Sequence, residues 1–232
     1  FKNEYINLID LNIYKKIPIT TVLKKRRKTF ANDYYLEEIR KEIISIYGEN
    51  YLYNGGLSVR SSLNTEIQFI ADASLKLGLL EYDKRHGFRG PIANDKSSDW
   101  ENIYNNVKHP DNFLVAKIIS FNKGNDGAKI EVMLNGKKIF ADLANFEWGR
   151  KSLSKSYVGP EIKNVSDILD IDDVIYVSKD SENKFSLQQI PRINGGIVVM
   201  DPHTGRVLAL SGGFDFRLSN FNRAIQAKRQ PG

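Results

Sequence analysis

The sequence has no cysteine, and its 232 residues hold only three histidines, two methionines and two tryptophans. Absence of thiols excludes disulfide scaffolds, cysteine-ligated zinc and thiol nucleophiles. His86, His109 and His203 lie far apart, with no pair at a metal-site spacing such as H-E-x-x-H, so no metal and no cofactor are expected. No apolar run approaches the roughly 18–20 residues that cross a bilayer, and no signal peptide opens the chain. The first residue is Phe1 rather than Met, which reads as a piece of something longer.

Charge is unevenly spread. The net +6 divides into +6 for residues 1–30, −3 for 31–80, zero for 81–193 and +3 for 194–232. Phosphate backbones are held by clustered Lys and Arg that release counterions, so a neutral middle makes nucleic acid a poor partner. The run Lys24–Lys28 is basic enough to touch anionic headgroups, although such a run is more often a solvated stretch. The aspartates at 170, 172 and 173 lack the central Gly and twelfth-position Glu of a calcium loop and read as a turn.

Four regions follow from the patterning. Residues 1–31 show little periodicity and read as an extended, basic lead-in. Residues 32–80 form a linker of helix, strand and helix. Asn32 or Asp33 caps a first helix with the stripe Leu36, Ile39, Ile43 and Ile46, ending at Gly48. After the turn Asn54-Gly55-Gly56, Leu57–Leu63 alternates as a strand does. Asn64 then caps a second helix with the stripe Ile67, Ile70, Ala71, Ser74 and Leu77, ending near Gly78.

Residues 81–110 are irregular, and the period then becomes two. Phe113–Ser120 is a strand, and Lys129–Leu134 with Lys137–Leu143 is a hairpin turned by Asn135-Gly136. That two-residue loop sets Val132 opposite Ile139 and Ile130 opposite Ala141, with Glu131, Lys138 and Phe140 on the other face. A second pair, Asp173–Lys179 and Lys184–Ile190, turns through Asp180–Asn183. The fold class expected is α+β: over residues 81–193, a small antiparallel β-barrel of OB type with a short helix after its third strand. Trp100 and Trp148 are expected in its core, with Trp148, Arg150 and Lys151 as a candidate partner-binding edge.

Residues 194–232 open with Gly196–Met200 and Arg206–Leu210, joined by Asp201-Pro202-His203-Thr204-Gly205, a tight hairpin. The run GGIVVMDPHTGRVLALSGG (Gly195–Gly213), followed by Phe221–Gly232 (FNRAIQAKRQPG), resembles the start of the transpeptidase domain of class A (bifunctional) penicillin-binding proteins of the 1a type. Gly55–Leu63 with the following helix is similar to that family's linker. Leu80–Pro91, Trp148-Gly149-Arg150 and Val165–Leu169 are similar to its OB-like insert.

The resemblance implies a parent protein that polymerises and crosslinks peptidoglycan: a glycosyltransferase and D-Ala-D-Ala transpeptidase contributing to cell wall and cell shape. It implies a periplasmic region of an inner-membrane-anchored bacterial protein, with the anchor outside these residues. In the family, R-Q-P-G precedes an S-x-x-K nucleophile motif. Arg223, Gln230, Pro231 and Gly232 would therefore lie on the approach to a serine just beyond the chain. None of the S-x-x-K, S-x-N and K-T-G elements is read here, nor the paired glutamates of the glycosyltransferase, so no catalytic residue is assigned and the region is expected to be inactive by itself. Its expected work is to space two catalytic domains and to offer a docking face, with an outer-membrane lipoprotein activator as partner. Precursors and glycan strands would be met through the parent. The alternative is an OB-fold binder of glycan strands or, less favoured, of nucleic acid.

Overall fold

The computed structural model describes residues 7–16, 33–97, 100–108, 110, 112–122, 124, 127–134, 136–154 and 157–228. Phe1–Ala31 and Asn32–Gly232 are separate compact units. In the first, Leu8–Tyr14 form helix α1, where the sequence pattern suggested extended chain. Two turns are too short to display a periodicity. The Lys24–Lys28 run lies outside the described residues.

The second unit begins with helix α2 (Asp33–Tyr47), which stops at Gly48, and a short helix α3 (Glu49–Asn54) that the sequence did not announce. Only the centre of the expected α2 stripe is used. Ile39 packs with Leu210 and Val207, while Leu36 and Ile46 face solvent, and Tyr34 and Tyr35 are buried instead. Residues 56–64 are extended but form no strand. They are tied to the chain at 207–208 by the Ser62 hydroxyl donating to Val207 O at 2.7 Å and by Asn64 N–H donating to Leu208 O at 2.8 Å.

Helix α4 (Thr65–Arg85) starts where expected. The Asn64 Oδ1 accepts the N–H groups of Glu66 and Ile67, both at 3.1 Å, satisfying two first-turn donors. It does not stop at Gly78. A glycine inside a helix costs about 1 kcal/mol, and continuing the helix buries Leu79 against Phe113 and Phe214 and carries Asp83 into the interior. The inward row is Gln68, Ala71, Leu79 and Asp83, so Ile70 and Leu77 of the expected stripe are exposed, as is Phe69.

Two short elements follow in the stretch read as irregular: strand β1 (Ala93–Asn94) and helix α5 (Glu101–Asn106). The barrel is made by β2 (Leu114–Phe121), β3 (Ala128–Leu134), β4 (Lys137–Asn145), β5 (Asp173–Lys179) and β6 (Phe185–Gln188). Val132 pairs with Ile139 and Ile130 with Ala141, the register demanded by a two-residue loop. Asn135 itself lies outside the described residues, and Gly136 has φ 75°. The sheet runs β5-β2-β3-β4-β6 and closes through a β5–β6 pairing. Four junctions are antiparallel, but β4 pairs with β6 in parallel. An antiparallel barrel was expected; a closed ring of five strands cannot alternate in direction throughout, so one junction runs parallel, and it falls between β4 and β6. In that connection the expected helix is a single 3₁₀ turn, Val165–Asp167, with reciprocal capping between Asn164 and Asp167.

Ala116, Ile118, Ile130, Val132, Leu143, Ile175, Val177 and Leu187 fill the barrel, and Phe88, Phe146, Val165 and Leu169 complete this core. Outside the wall, Trp100 covers Val115, Met133 and Val174. Two strands buried on both faces explain why β2 and β5 are nearly continuous apolar runs rather than strict alternations.

The last segment is the hairpin β7 (Ile197–Met200) and β8 (Val207–Ser211). Asp201 organises its loop, accepting the His203 N–H at 2.9 Å and the Thr204 hydroxyl at 2.7 Å, and Gly205 supplies φ 69°. Beyond it Gly212 and Gly213 lie so close to Asn222 and the Tyr34 hydroxyl that no Cβ fits at either position.

Candidate functional site

Three parts of the molecule meet where α4 ends, and one carboxylate holds them. Asp83 is 3% exposed. Both its oxygens receive the Arg89 guanidinium at 2.9 Å, one also accepts the Gln189 amide at 2.8 Å, and the other accepts the Arg192 backbone N–H at 3.1 Å. Arg89 donates further to Ile190 O at 2.7 Å, and Gln189 to Gly87 O at 2.9 Å. The chain enters the barrel at 87–89 and leaves it at 189–192. One helical carboxylate therefore fastens both connections, and the barrel is clasped at its root. A buried ion pair is stable only when its remaining hydrogen bonds are satisfied, and here they are. Sequence reading missed this clasp, because an Asp in a charged helix end and a Gln after a strand carry no joint signal.

The expected partner edge divides. Trp148 is half-buried: its indole N–H donates to Leu187 O at 3.0 Å, Phe88 meets it edge-on at 5.9 Å, and the Lys84 ammonium sits 5.0 Å above the ring. Burial lowers the Lys84 pKa from its ordinary value. Arg150 Nε donates to Gly159 O at 2.7 Å and its carbonyl accepts the Phe88 N–H at 2.7 Å, so it builds the barrel's neck. Lys151 is exposed beside the exposed Leu153 and Tyr157. Phe140, 75% exposed, is a prominent apolar side chain on the barrel's outer surface.

On the final segment, Arg223 is half-buried over the Phe221 ring at 5.4 Å, with Nη1 donating to Phe221 O at 3.1 Å. It holds its own backbone. Gln230, Pro231 and Gly232 lie outside the described residues. Three tetrapeptides do match S-x-x-K literally: Ser120–Lys123, Ser152–Lys155 and Ser181–Lys184. S-x-N likewise recurs at Ser62–Asn64, Ser120–Asn122 and Ser181–Asn183. The reading that both elements are missing is therefore corrected at the level of pattern. Ser181–Lys184 forms the β5–β6 turn, where Lys184 Nζ binds Glu182 at 2.7 Å, a geometry that leaves its lysine engaged with a carboxylate rather than the serine. The aspartate trio is structural: Asp172 binds the buried Lys117 at 3.0 Å, and Asp173 accepts from Asn94 at 2.8 Å and the Asp170 N–H at 2.7 Å.

Two clefts flank α4. One, of about 650 Å³, is lined by Tyr82, His86, Ser152, Leu153, Ser154 and Arg192. Tyr82 and His86 stack at 4.4 Å on its wall. The other, of about 600 Å³, lies between α4, the barrel's outer wall and Phe214.

Residues 88–193 match the model of the penicillin-binding protein OB-like domain family. Penicillin-binding protein 1A of Rickettsia typhi is 39% identical over 91% of this chain, and that of Escherichia coli K12 is 32% identical over 88%. The chain spans about a quarter of the length of these relatives, 26% and 24% respectively. The crystal structure of penicillin-binding protein 1A from Haemophilus influenzae superposes with TM-score 0.67 at 24% identity, covering 98% of this chain and 32% of that one. The described residues contain no helix long and apolar enough to cross a membrane. With the closed five-stranded barrel and these relatives in agreement, residues 88–193 form a penicillin-binding protein OB-like domain, in a chain similar along most of its length to about a quarter of penicillin-binding protein 1A.

Proposed function

We propose that this chain is the non-catalytic span of a bifunctional peptidoglycan synthase, a periplasmic region of a protein anchored in the inner membrane by residues outside it. It holds the OB-like barrel at a set angle on the helix that supports the first strands of the transpeptidase, and it offers the barrel's outer surface to an envelope partner. The observation that carries this reading is the Asp83 clasp. A barrel fastened by both its connections to α4 moves with the helix rather than as a bead on a string. The free edge around Lys151, Leu153 and Tyr157, together with Phe140, suits a protein partner with apolar and acidic groups, such as an outer-membrane lipoprotein activator.

Two measurements test the reading. The immobilised chain is offered a panel of purified outer-membrane lipoproteins: retention of one, weakened by Lys151→Glu and Phe140→Ser, supports it, and retention of none removes the partner claim. Labelled penicillin should leave this polypeptide unmodified, and covalent acylation would overturn the assignment of a scaffold role. A second reading, a binder of glycan strands, is favoured by the Tyr82–His86 stack beside Ser152 and Ser154, since sugars pack on ring faces and bond hydroxyls.

A further inference from the structure

The cleft between α4 and the barrel wall contains an unusual group. Gln188 is 8% exposed, and its amide Nε2 donates to the Ser178 hydroxyl at 2.8 Å. Its Oε1 is buried and has no hydrogen-bond partner among the described residues. A buried polar atom without a partner is destabilising and calls for an explanation, which a ligand donor supplies. Gln188 and Ser178 both line this cleft, and so do two lysines, Lys76 from α4 and Lys179 from the end of β5. Neither lysine is ion-paired to a described residue. Lys179 sits 6.0 Å above the Phe185 ring. Apart from Asn112, the remaining surface is apolar, chiefly Leu80, Leu134 and the edge-to-face pair Phe113–Phe214, whose centroids are 6.0 Å apart.

We propose that this cleft binds a short acidic peptide. Its carboxylates would lie against Lys76 and Lys179, an amide N–H would donate to Gln188 Oε1, and small apolar side chains would rest on Phe113 and Phe214. The chemistry selects peptide over polyol. The lysines ask for carboxylates, which a neutral polyol lacks, and a peptide amide supplies the N–H for the buried acceptor. A nucleic acid would need a longer basic track than two lysines. The inference rests on the peptidoglycan reading above, because the peptides that decorate glycan strands are acidic, short and rich in methyl groups. It locates a second place where such a peptide is held, at the joint of barrel, helix and transpeptidase strands rather than at any reacting centre.

The test is calorimetric titration of the whole 232-residue chain with the pentapeptide N-acetyl-Ala-γ-D-Glu-Ala-D-Ala-D-Ala, whose carboxylates have no amine in the same peptide to offset them. The same peptide with amidated carboxyls and an N-acetylglucosamine oligomer serve as the two comparison probes. Saturable binding of the acidic peptide is expected, at least about tenfold tighter than the amidated form. Lys76→Gln with Lys179→Gln, and separately Gln188→Met, should each weaken it about tenfold or more. The lysine variant should melt where the parent chain melts, because no described residue forms an ion pair with either lysine, so loss of binding there is not loss of fold. The remote Lys151→Gln should bind unchanged. Equal binding of the amidated peptide, preference for the sugar oligomer at Lys76 and Lys179, or no binding at all would each overturn the assignment. Lipoprotein retention is measured independently, so a chain that captures lipoprotein but ignores the peptide loses this cleft and keeps the scaffold reading.

Discussion

The barrel and the helix–hairpin body that carries it satisfy the same backbone in opposite ways. In the barrel, closure lets every strand hydrogen-bond to another strand, and the interior can be purely apolar. The hairpin β7–β8 is open, and side chains do the work of a missing strand along β8. The Gln68 amide accepts the Leu210 N–H at 2.8 Å and donates to Leu210 O at 3.2 Å, while the Tyr35 and Ser62 hydroxyls donate to Val207 O at 3.0 and 2.7 Å. An open sheet needs polar residues at buried positions, whereas a closed one can exclude them. In the apolar groups left outside, the contrast is between the helices and the barrel's central strand, since β4 also exposes Phe140. The helices expose Leu36, Ile46, Phe69, Ile70 and Leu77, while β3 buries every apolar side chain fully or in part.

The contrast can be broken most severely at the clasp that joins the two regions. Asp83→Ala strands the Arg89 guanidinium in a mostly buried place and should cost about 3–5 kcal/mol. Denaturant unfolding should then lose its single transition, with barrel and helical body melting separately. Within the barrel, Leu143→Ala should cost about 3 kcal/mol through lost burial and a residual cavity, read in the same titration. In the open hairpin, Gln68→Leu keeps the volume but removes both hydrogen bonds between the Gln68 amide and the Leu210 backbone. A loss of about 2 kcal/mol is expected, with amide exchange at Leu210 accelerated first. Trp148→Phe keeps a six-membered ring but loses the pyrrole part of the indole with its hydrogen bond, so about 1–2 kcal/mol is expected.

The subtlest probe is alkaline. Burial pushes the Tyr34 phenol up to about 12, and its hydroxyl donates to Ser219 O at 2.6 Å. A group whose folded pKa is raised contributes stability that is complete below its unfolded pKa of about 10 and is lost as pH climbs toward 12. Stability measured over that window should therefore fall, and Tyr34→Phe should diminish the fall. Tyr176, also raised by burial, contributes to what remains.

Much of the fold was legible because local rules are strong where they apply. Asn64 announces the start of α4, and the Asp201–Gly205 loop announces its hairpin. A two-residue connection leaves the β3–β4 register no freedom. Helix faces were misread by about one position, because α4 is apolar on several sides and only its neighbours decide which side turns inward. The candidate site was the least legible part. Of the expected edge, Trp148 and Arg150 are largely built into the barrel, and the most unusual polar atom, Gln188 Oε1, belongs to a residue with no motif.

Turn chemistry, strand register, helix starts and the distribution of charge were properties of the amino-acid order, since each depends on residues only a few positions apart. The parallel seam between β4 and β6, the passage of α4 through Gly78, the Asp83 clasp and the Gln188 cleft were decided by the folded molecule. Each brings together groups distant along the chain. Its free energy comes from excluding water between them, a quantity that no short stretch of sequence contains.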